Sequence, residues 1–172
     1  SWLSYKHTQK ASVSHERDIM PRLLHIEEKS VSDKRIRKFA KILVDHSAKI
    51  QPGDRVLIEA TTAAEPLIRE LYTHILDRGG HPHLEMVLPD QEALFFNHAN
   101  DAQLDFMPTF RKLAYDEFES RIRIHSETNP RALTDIDPEK QTRRQKTLAP
   151  ILQSQMRRGA EKAFKWVTTL YP

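Results

Sequence analysis

Apolar positions change period several times along the chain. From residue 33 they recur at helical spacing, with lysines and arginines between them, which is typical of an amphipathic helix. A short apolar run after a Pro-Gly turn favours a buried strand, and a second helical stripe closed by two glycines leads into another strand. Strand-helix-strand units of this kind join parallel strands. The elements are predicted at 33–51, 54–60, 61–80 and 81–88.

The third strand differs from the first two in its pattern. Helical stretches at 90–99 and 101–118 precede it, and Pro108 is expected to end the first turn of the second stretch or to kink it. In 120–126, isoleucines then alternate with arginines and a histidine. This alternation predicts a half-exposed or edge strand.

The last part of the chain adds a long helix and a strand. The helix is predicted to start at Asp137, ahead of a proline and a glutamate, and to end at Gly159. Pro150 is expected to kink it near Lys146. The strand candidate spans 164–172. About four strands alternate with five or six helices, so the sequence predicts an α/β fold with an open, mostly parallel sheet flanked by helices.

The first residues of the chain show neither the helical nor the strand period of apolar positions. Residues 1–31 scatter their apolar positions among polar ones, so we expect a poorly ordered leader followed by an α/β domain over 32–172. The chain starts with Ser1, and we expect the natural start of the protein near Val31.

Composition excludes several classes of protein. The chain has no cysteine, which rules out disulfides and thiolate metal sites. No apolar stretch reaches the ~18 residues of a membrane helix, and no signal-peptide core is present, so a cytoplasmic protein without a membrane partner is expected. The net charge of +3, from 27 basic and 24 acidic residues, is too small to indicate a nucleic-acid partner.

The loop after the first strand is the best-placed candidate for a ligand cleft. Open α/β sheets bind ligands beyond the carboxyl ends of their strands, where Glu59, Thr61, Thr62 and Glu65 lie. Helix capping is the simpler explanation for such residues, and Thr62 with Glu65 fits a capping box. Pro66 argues instead for a helix start one turn later.

A second cleft candidate follows the third strand. Ser126 and Arg131 lie there on a predicted surface loop. No histidine or carboxylate is fixed near Ser126 in the sequence, so a nucleophilic role is not favoured. Glycine-rich phosphate loops do not occur in the sequence, so a nucleotide site is not expected.

Three potential metal ligands alternate along the second strand. His81, His83 and Glu85 would share one face at about 7 Å spacing, and imidazoles with a carboxylate suit zinc. Because the chain has nine histidines, such a spacing arises easily by chance. Ordinary strand residues are therefore the favoured interpretation.

Basic residues are concentrated on the long helix near the end of the chain. Clusters of this kind contact phosphates in some proteins, but no aromatic stacking residues are interleaved here. A solvated helix face is favoured over a nucleic-acid site. The cluster consists of Lys140, Arg143, Arg144, Lys146, Arg157 and Arg158.

Several blocks in a fixed order resemble one known family. The blocks "PGDRVLIEATTAAEPL" and "RGGHPH", followed by "FRKLAYDEFESRIRIHSETNPRAL" and "KWVTTLYP", are similar to the amino-terminal portion of the aminopeptidase T and aminopeptidase S family of metallo-exopeptidases. The resemblance covers residues 33–172.

The resemblance implies a peptide substrate, an intact enzyme that is a homodimer, and a centre of two divalent metal ions, cobalt or zinc. It places the metal ligands in a carboxy-terminal domain, so no catalytic or metal-binding residue is assigned to this chain, and none of these ions is expected to bind it. His81 and His83 match positions within the sheet. We expect the chain alone to lack peptidase activity. The alternative is a stand-alone α/β binding module that uses Arg143 and Arg144 of the basic helix for nucleic acid.

Overall fold

The computed structural model describes residues 33–126 and 136–171. The strands are β1 (Arg55–Thr61), β2 (His81–Val87), β3 (Ser120–His125) and β4 (Lys165–Leu170). The helices are α1 (Lys34–Ile42), α2 (Glu65–Asp77), α3 (Gln91–His98), α4 (Asp101–Leu104), α5 (Thr109–Glu117) and α6 (Pro138–Ala160). A π-helical turn, Leu43–Ser47, extends α1, and a 3-10 turn, Thr62–Ala64, precedes α2. The predicted leader, 1–31, lies outside the described residues.

The four strands form one sheet in the order β2-β1-β3-β4, and all three neighbouring pairs are parallel. The predicted α/β fold with a parallel sheet flanked by helices is confirmed. Among the described residues, no helix is both long and apolar enough to cross a membrane.

Alternate residues of β1 enter two different cores, because successive side chains of a strand point to opposite faces. Val56 and Ile58 join the larger core, which contains apolar side chains of α1 and α2 together with Ile122 of β3. Leu57 joins a smaller core with α5 and α6. The sheet is therefore covered on both faces, as is usual for parallel strands.

The prediction that 120–126 forms a half-exposed or edge strand is wrong. β3 lies inside the sheet, between β1 and β4, and Arg121 within it is buried. The alternation of isoleucine and arginine reflects two covered faces of different polarity, one apolar and one charged. The edge strands are instead β2 and β4, and both carry exposed apolar side chains, such as Leu84 of β2 and Leu170 of β4.

The helix boundaries follow the local signals in part. Asp137 caps α6 as predicted, accepting a hydrogen bond from the Glu139 backbone at 2.8 Å. Pro108 separates α4 from α5. Pro150 lies inside α6, which continues as one helix through it.

The predicted capping box at the start of α2 is absent. α2 begins at Glu65, one 3-10 turn after Thr62, and no side chain caps it. Pro66 occupies its first turn, where the missing N–H has no intrahelical partner in any case. The later start that Pro66 predicts is therefore the one observed.

The direction of chain connection reverses at the middle of the sheet. From β1 the chain passes to β2 on one side, whereas β3 and β4 lie on the other side. In open α/β sheets such a reversal leaves a crevice between the carboxyl ends of the two central strands. Those ends are Thr61 of β1 and His125 of β3.

Candidate functional site

A cleft of about 490 Å³ opens at the carboxyl ends of the strands, where the chain connection reverses. One wall is polar and comes from the strands, with Glu59 and Arg123 at its base. The opposite wall is partly apolar and includes Phe95 of α3 and Leu148 of α6. A mixed lining of this kind suits a small organic ligand with a polar group.

Glu59 lies at the base of the cleft and is 3% exposed. Its carboxylate accepts a hydrogen bond from Arg123 Nε at 2.5 Å and one from the Tyr115 hydroxyl at 3.3 Å. The Nε atoms of Arg111 and Arg121 lie 3.7 and 3.9 Å from its oxygens. Three guanidinium groups thus surround one buried carboxylate, which compensates its loss of hydration.

Tyr115 connects these charges from the α5 side. Its hydroxyl accepts from Arg121 Nη1 at 2.8 Å and from Arg123 Nη2 at 3.0 Å, while it donates to Glu59. Burial and then the charge of Glu59 raise the pKa of Tyr115. The phenol therefore keeps its proton and remains a donor to Glu59 at neutral pH.

A second carboxylate, Glu85 of β2, completes the set. Arg111 donates to it from Nη2 at 2.9 Å and from Nε at 3.4 Å. Burial alone would lower the pKa of Arg111, but the charge of Glu85 and the hydrogen bond to it outweigh burial, so this pKa is raised. We refer to these six side chains as the charged network: Glu59, Glu85, Arg111, Tyr115, Arg121 and Arg123.

Three of the cleft residues predicted from sequence come together. Glu59 and Thr61 line the cleft, and the Thr61 hydroxyl forms a short hydrogen bond with the Ser126 hydroxyl across the ends of β1 and β3. Thr62 and Glu65 are exposed, and Glu65 binds Arg69 on the outer surface. They do not line the cleft, and Arg131 lies outside the described residues.

The partners of Glu59 were not identified from sequence. The sequence pattern predicts a half-exposed or edge strand for Arg121 and Arg123, and it gives no role to Arg111 or Tyr115. One signal was available: alternate arginines in 120–126 need carboxylate partners once both faces of that strand are covered.

The potential metal ligands on β2 have other contacts. The His83 ring lies 4.6 Å from the ring of Phe118, measured between centroids, and its Nδ1 lies 2.9 Å from the carbonyl oxygen of His81. Glu85 is bonded to Arg111. Within residues 33–126 and 136–171, no group of three or more histidine, cysteine, aspartate or glutamate side chains is placed to hold a metal ion.

Two arginines of the basic helix are held by neighbouring helices. Arg143 donates to Asp105 from Nε at 2.7 Å and pairs with Asp101 at 2.7 Å. Arg144 donates from Nη1 to the carbonyl oxygens of Leu104 and Phe106, at 3.2 and 2.7 Å. These contacts attach α6 to the α4 region, and they do not favour the nucleic-acid alternative.

Comparison with known proteins adds to this geometry. The chain is similar to Aminopeptidase 2 of Geobacillus stearothermophilus, with 30% identity over 128 residues, which are 70% of this chain and 30% of that protein. Its fold is similar to the solved structure of wild-type AmpT from Thermus thermophilus, with a TM-score of 0.66 and 19% identity. That match covers 81% of this chain and 36% of AmpT. The chain therefore spans about a third of the length of either protein.

A family model covers nearly all of the chain beyond the predicted leader. The model described as "Thermophilic metalloprotease (M29)" matches residues 32–172. The order of the sequence blocks, the α/β fold and this match agree. The chain therefore belongs to the M29 family of metalloproteases.

Proposed function

We propose that residues 32–172 form the amino-terminal α/β domain of a metal-dependent aminopeptidase that releases amino-terminal residues from peptides. The family match over 32–172 carries this proposal. The similarity to Aminopeptidase 2 supports the choice of an aminopeptidase within that family. In the whole enzyme, the cleft beside Glu59 and Thr61 would form part of the wall of the substrate chamber.

The metal centre that the family name implies does not fit the described residues of this chain. Glu59 and Glu85 are the enclosed carboxylates of the cleft, and both are bonded to arginines. Releasing either one to a metal would leave a half-buried guanidinium without its partner, which is costly. We therefore propose that the divalent ions, cobalt or zinc, are held outside the described residues and that this chain alone does not hydrolyse peptides.

Peptidase activity of the isolated chain tests this part of the proposal. Purified 1–172 is incubated with Co²⁺ or Zn²⁺ and leucine p-nitroanilide, and release of nitroaniline is followed by absorbance. We expect no metal-dependent release. Clear turnover that is abolished by a chelator would contradict the proposal, because it would require a metal centre within this chain.

A chimera tests the proposed domain role directly. Residues 32–172 replace the matching segment of Aminopeptidase 2, and the control is that enzyme with the segment deleted. We expect metal-dependent turnover by the chimera and none by the deletion variant. A chimera that folds as a single species but has no activity would count against the domain role.

We further propose that the whole enzyme is a homodimer and that it acts in the cytoplasm. The lack of cysteine supports a reducing compartment. Sedimentation equilibrium of the active chimera tests the first of these proposals, and a monomer at enzymatic concentrations would refute it.

A further inference from the structure

Arg144 is a half-buried cation of the cleft whose carboxylate partner is missing among the described residues. Glu59 is bonded to Arg123, and Glu85 is bonded to Arg111. Arg144 also lines the cleft, but its hydrogen bonds go to two backbone carbonyl oxygens and not to a carboxylate. Of the three arginines that line the cleft, Arg144 is therefore the one that is not bonded to a carboxylate of the described residues.

The way in which Arg144 is held leaves one edge of its guanidinium available. Both carbonyl bonds use Nη1, so the edge formed by Nε and Nη2 has no hydrogen-bond acceptor among the described residues. Arg69, Arg111 and Arg143 all bind carboxylates through that edge in this chain. Side-on binding of this kind is the preferred geometry for a carboxylate.

The surroundings of Arg144 fix its position and favour an anion beside it. Its guanidinium lies over the Phe95 ring, 4.8 Å from the centroid, which holds the plane of the group. Burial and then the nearby charge of Arg111 lower the pKa of Arg144, and the charge of Glu92 offsets only part of this. Two cations that repel each other across a cleft bind an anion between them favourably, because it reduces their repulsion.

The lining also restricts the class of anion. Glu59, Glu85 and Glu92 all border the cleft, so a phosphate with two charges would meet three carboxylates, whereas Arg144 is the one lining guanidinium that is not already bonded to a carboxylate of the described residues. Val87, Phe95 and Leu148 provide an apolar wall. A singly charged carboxylate attached to an apolar group matches both features.

We propose that the cleft binds a short peptide or acylated amino acid through one carboxylate, which the Nε and Nη2 atoms of Arg144 bind side-on while the apolar wall contacts its side chain. Arg111 faces the bound carboxylate from α5. The proposal concerns binding by this chain and does not depend on whether the chain hydrolyses peptides.

Binding of a matched pair of probes tests the proposal. N-acetylphenylalanine and its amide have the same shape, but only the first carries a carboxylate. Titration calorimetry with the full chain, 1–172, is expected to show the acid binding at least about tenfold more tightly, as expected for a charge-assisted bidentate contact. Equal affinity of acid and amide would overturn the proposal.

Two variants at adjacent positions provide the residue test. Arg144→Gln is expected to remove the preference for the acid. Arg143→Gln is expected to retain the preference for the acid, because Arg143 is bonded to Asp101 of α4 and to Asp105, the residue that follows α4. A preference that survives Arg144→Gln would overturn the assignment. So would a preference that is lost equally in both variants.

A measurement on the unaltered chain covers the case in which Arg144→Gln does not fold. In the ¹⁵N-labelled protein, the acid is expected to shift an arginine Nε–Hε signal that the amide leaves in place. No selective shift would contradict the side-on contact. Inorganic phosphate serves as the second anion, and tighter binding of phosphate than of the acid would refute the choice of a carboxylate.

Discussion

Removing the charge of Glu59 should destabilise the fold far more than removing the charge of an exposed glutamate. Glu59→Gln keeps the shape of the side chain but leaves Arg111, Arg121 and Arg123 with Glu85 as the remaining carboxylate of the charged network. The network then changes from three positive and two negative charges to three positive and one negative. Arg121, with 5% of its side chain exposed, cannot turn to water.

The size of the effect follows from the burial of the partners. Breaking a buried ion pair by removing one member costs about 3 to 5 kcal/mol. Arg111 and Arg123 have 29% and 34% of their side chains exposed, so they recover part of their hydration, and the glutamine keeps one hydrogen bond. We therefore expect a loss near the lower end, about 3 kcal/mol of the free energy of unfolding.

Glu65→Gln is the matched control, because Glu65 also pairs with an arginine, Arg69, at 2.7 Å. Their side chains are 58% and 74% exposed, so the loss should stay within about 0.5 kcal/mol. Urea unfolding followed by circular dichroism at neutral pH measures the free energy of unfolding of both variants. The comparison requires that this free energy fall with urea concentration at the same slope in each. A loss below about 1 kcal/mol for Glu59→Gln, or equal losses for the two variants, would refute the burial argument.

Two further predictions concern close packing and pH. Gly80→Ala should lower the free energy of unfolding by about 1 to 3 kcal/mol, because the added Cβ would lie 2.9 Å from Ile75 Cγ2 and 3.0 Å from Ile50 Cγ2. Urea unfolding measures it, and a gain in stability would show that the neighbours move freely. Hydrogen bonds and charge from Arg55 lower the pKa of Glu119 below its ordinary value of 4.5, so its contribution to stability is present above that value and is lost as pH falls through the lowered pKa. The stability difference between the native protein and Glu119→Gln should therefore shrink from about pH 6 to about pH 3 in urea titrations, and a constant difference would contradict this linkage.

The sequence predicts the α/β fold and one side of the cleft, but it does not predict the charged network. Periodicity is a local signal, and it suffices to predict the strands and the position of Glu59 near the carboxyl end of β1. The partners of Glu59 depend on which strand lies beside β1, and that order is set by packing between distant segments. Because β3 and not a later strand occupies this place, Arg123 comes into register with Glu59. The alternation in β3 correctly indicates one apolar and one polar face, but the polar face meets a buried carboxylate and not solvent.

The face of the sheet that carries α5 and α6 changes along the strand direction from an apolar part to a charged part. Toward the amino end of β1, Leu57 packs with Phe118 and Phe164, whereas two residues further on Glu59 meets arginines. Burying such charges stabilises a fold no better than apolar side chains of similar volume would, so stability has to come from elsewhere, chiefly from the larger core beneath α1 and α2. What the charged network does provide is rigidity, since Arg111 and Arg123 are each fixed by more than one contact in the cleft wall. Polar groups held in this way do not need to be ordered when a ligand arrives, which lowers the entropy cost of binding.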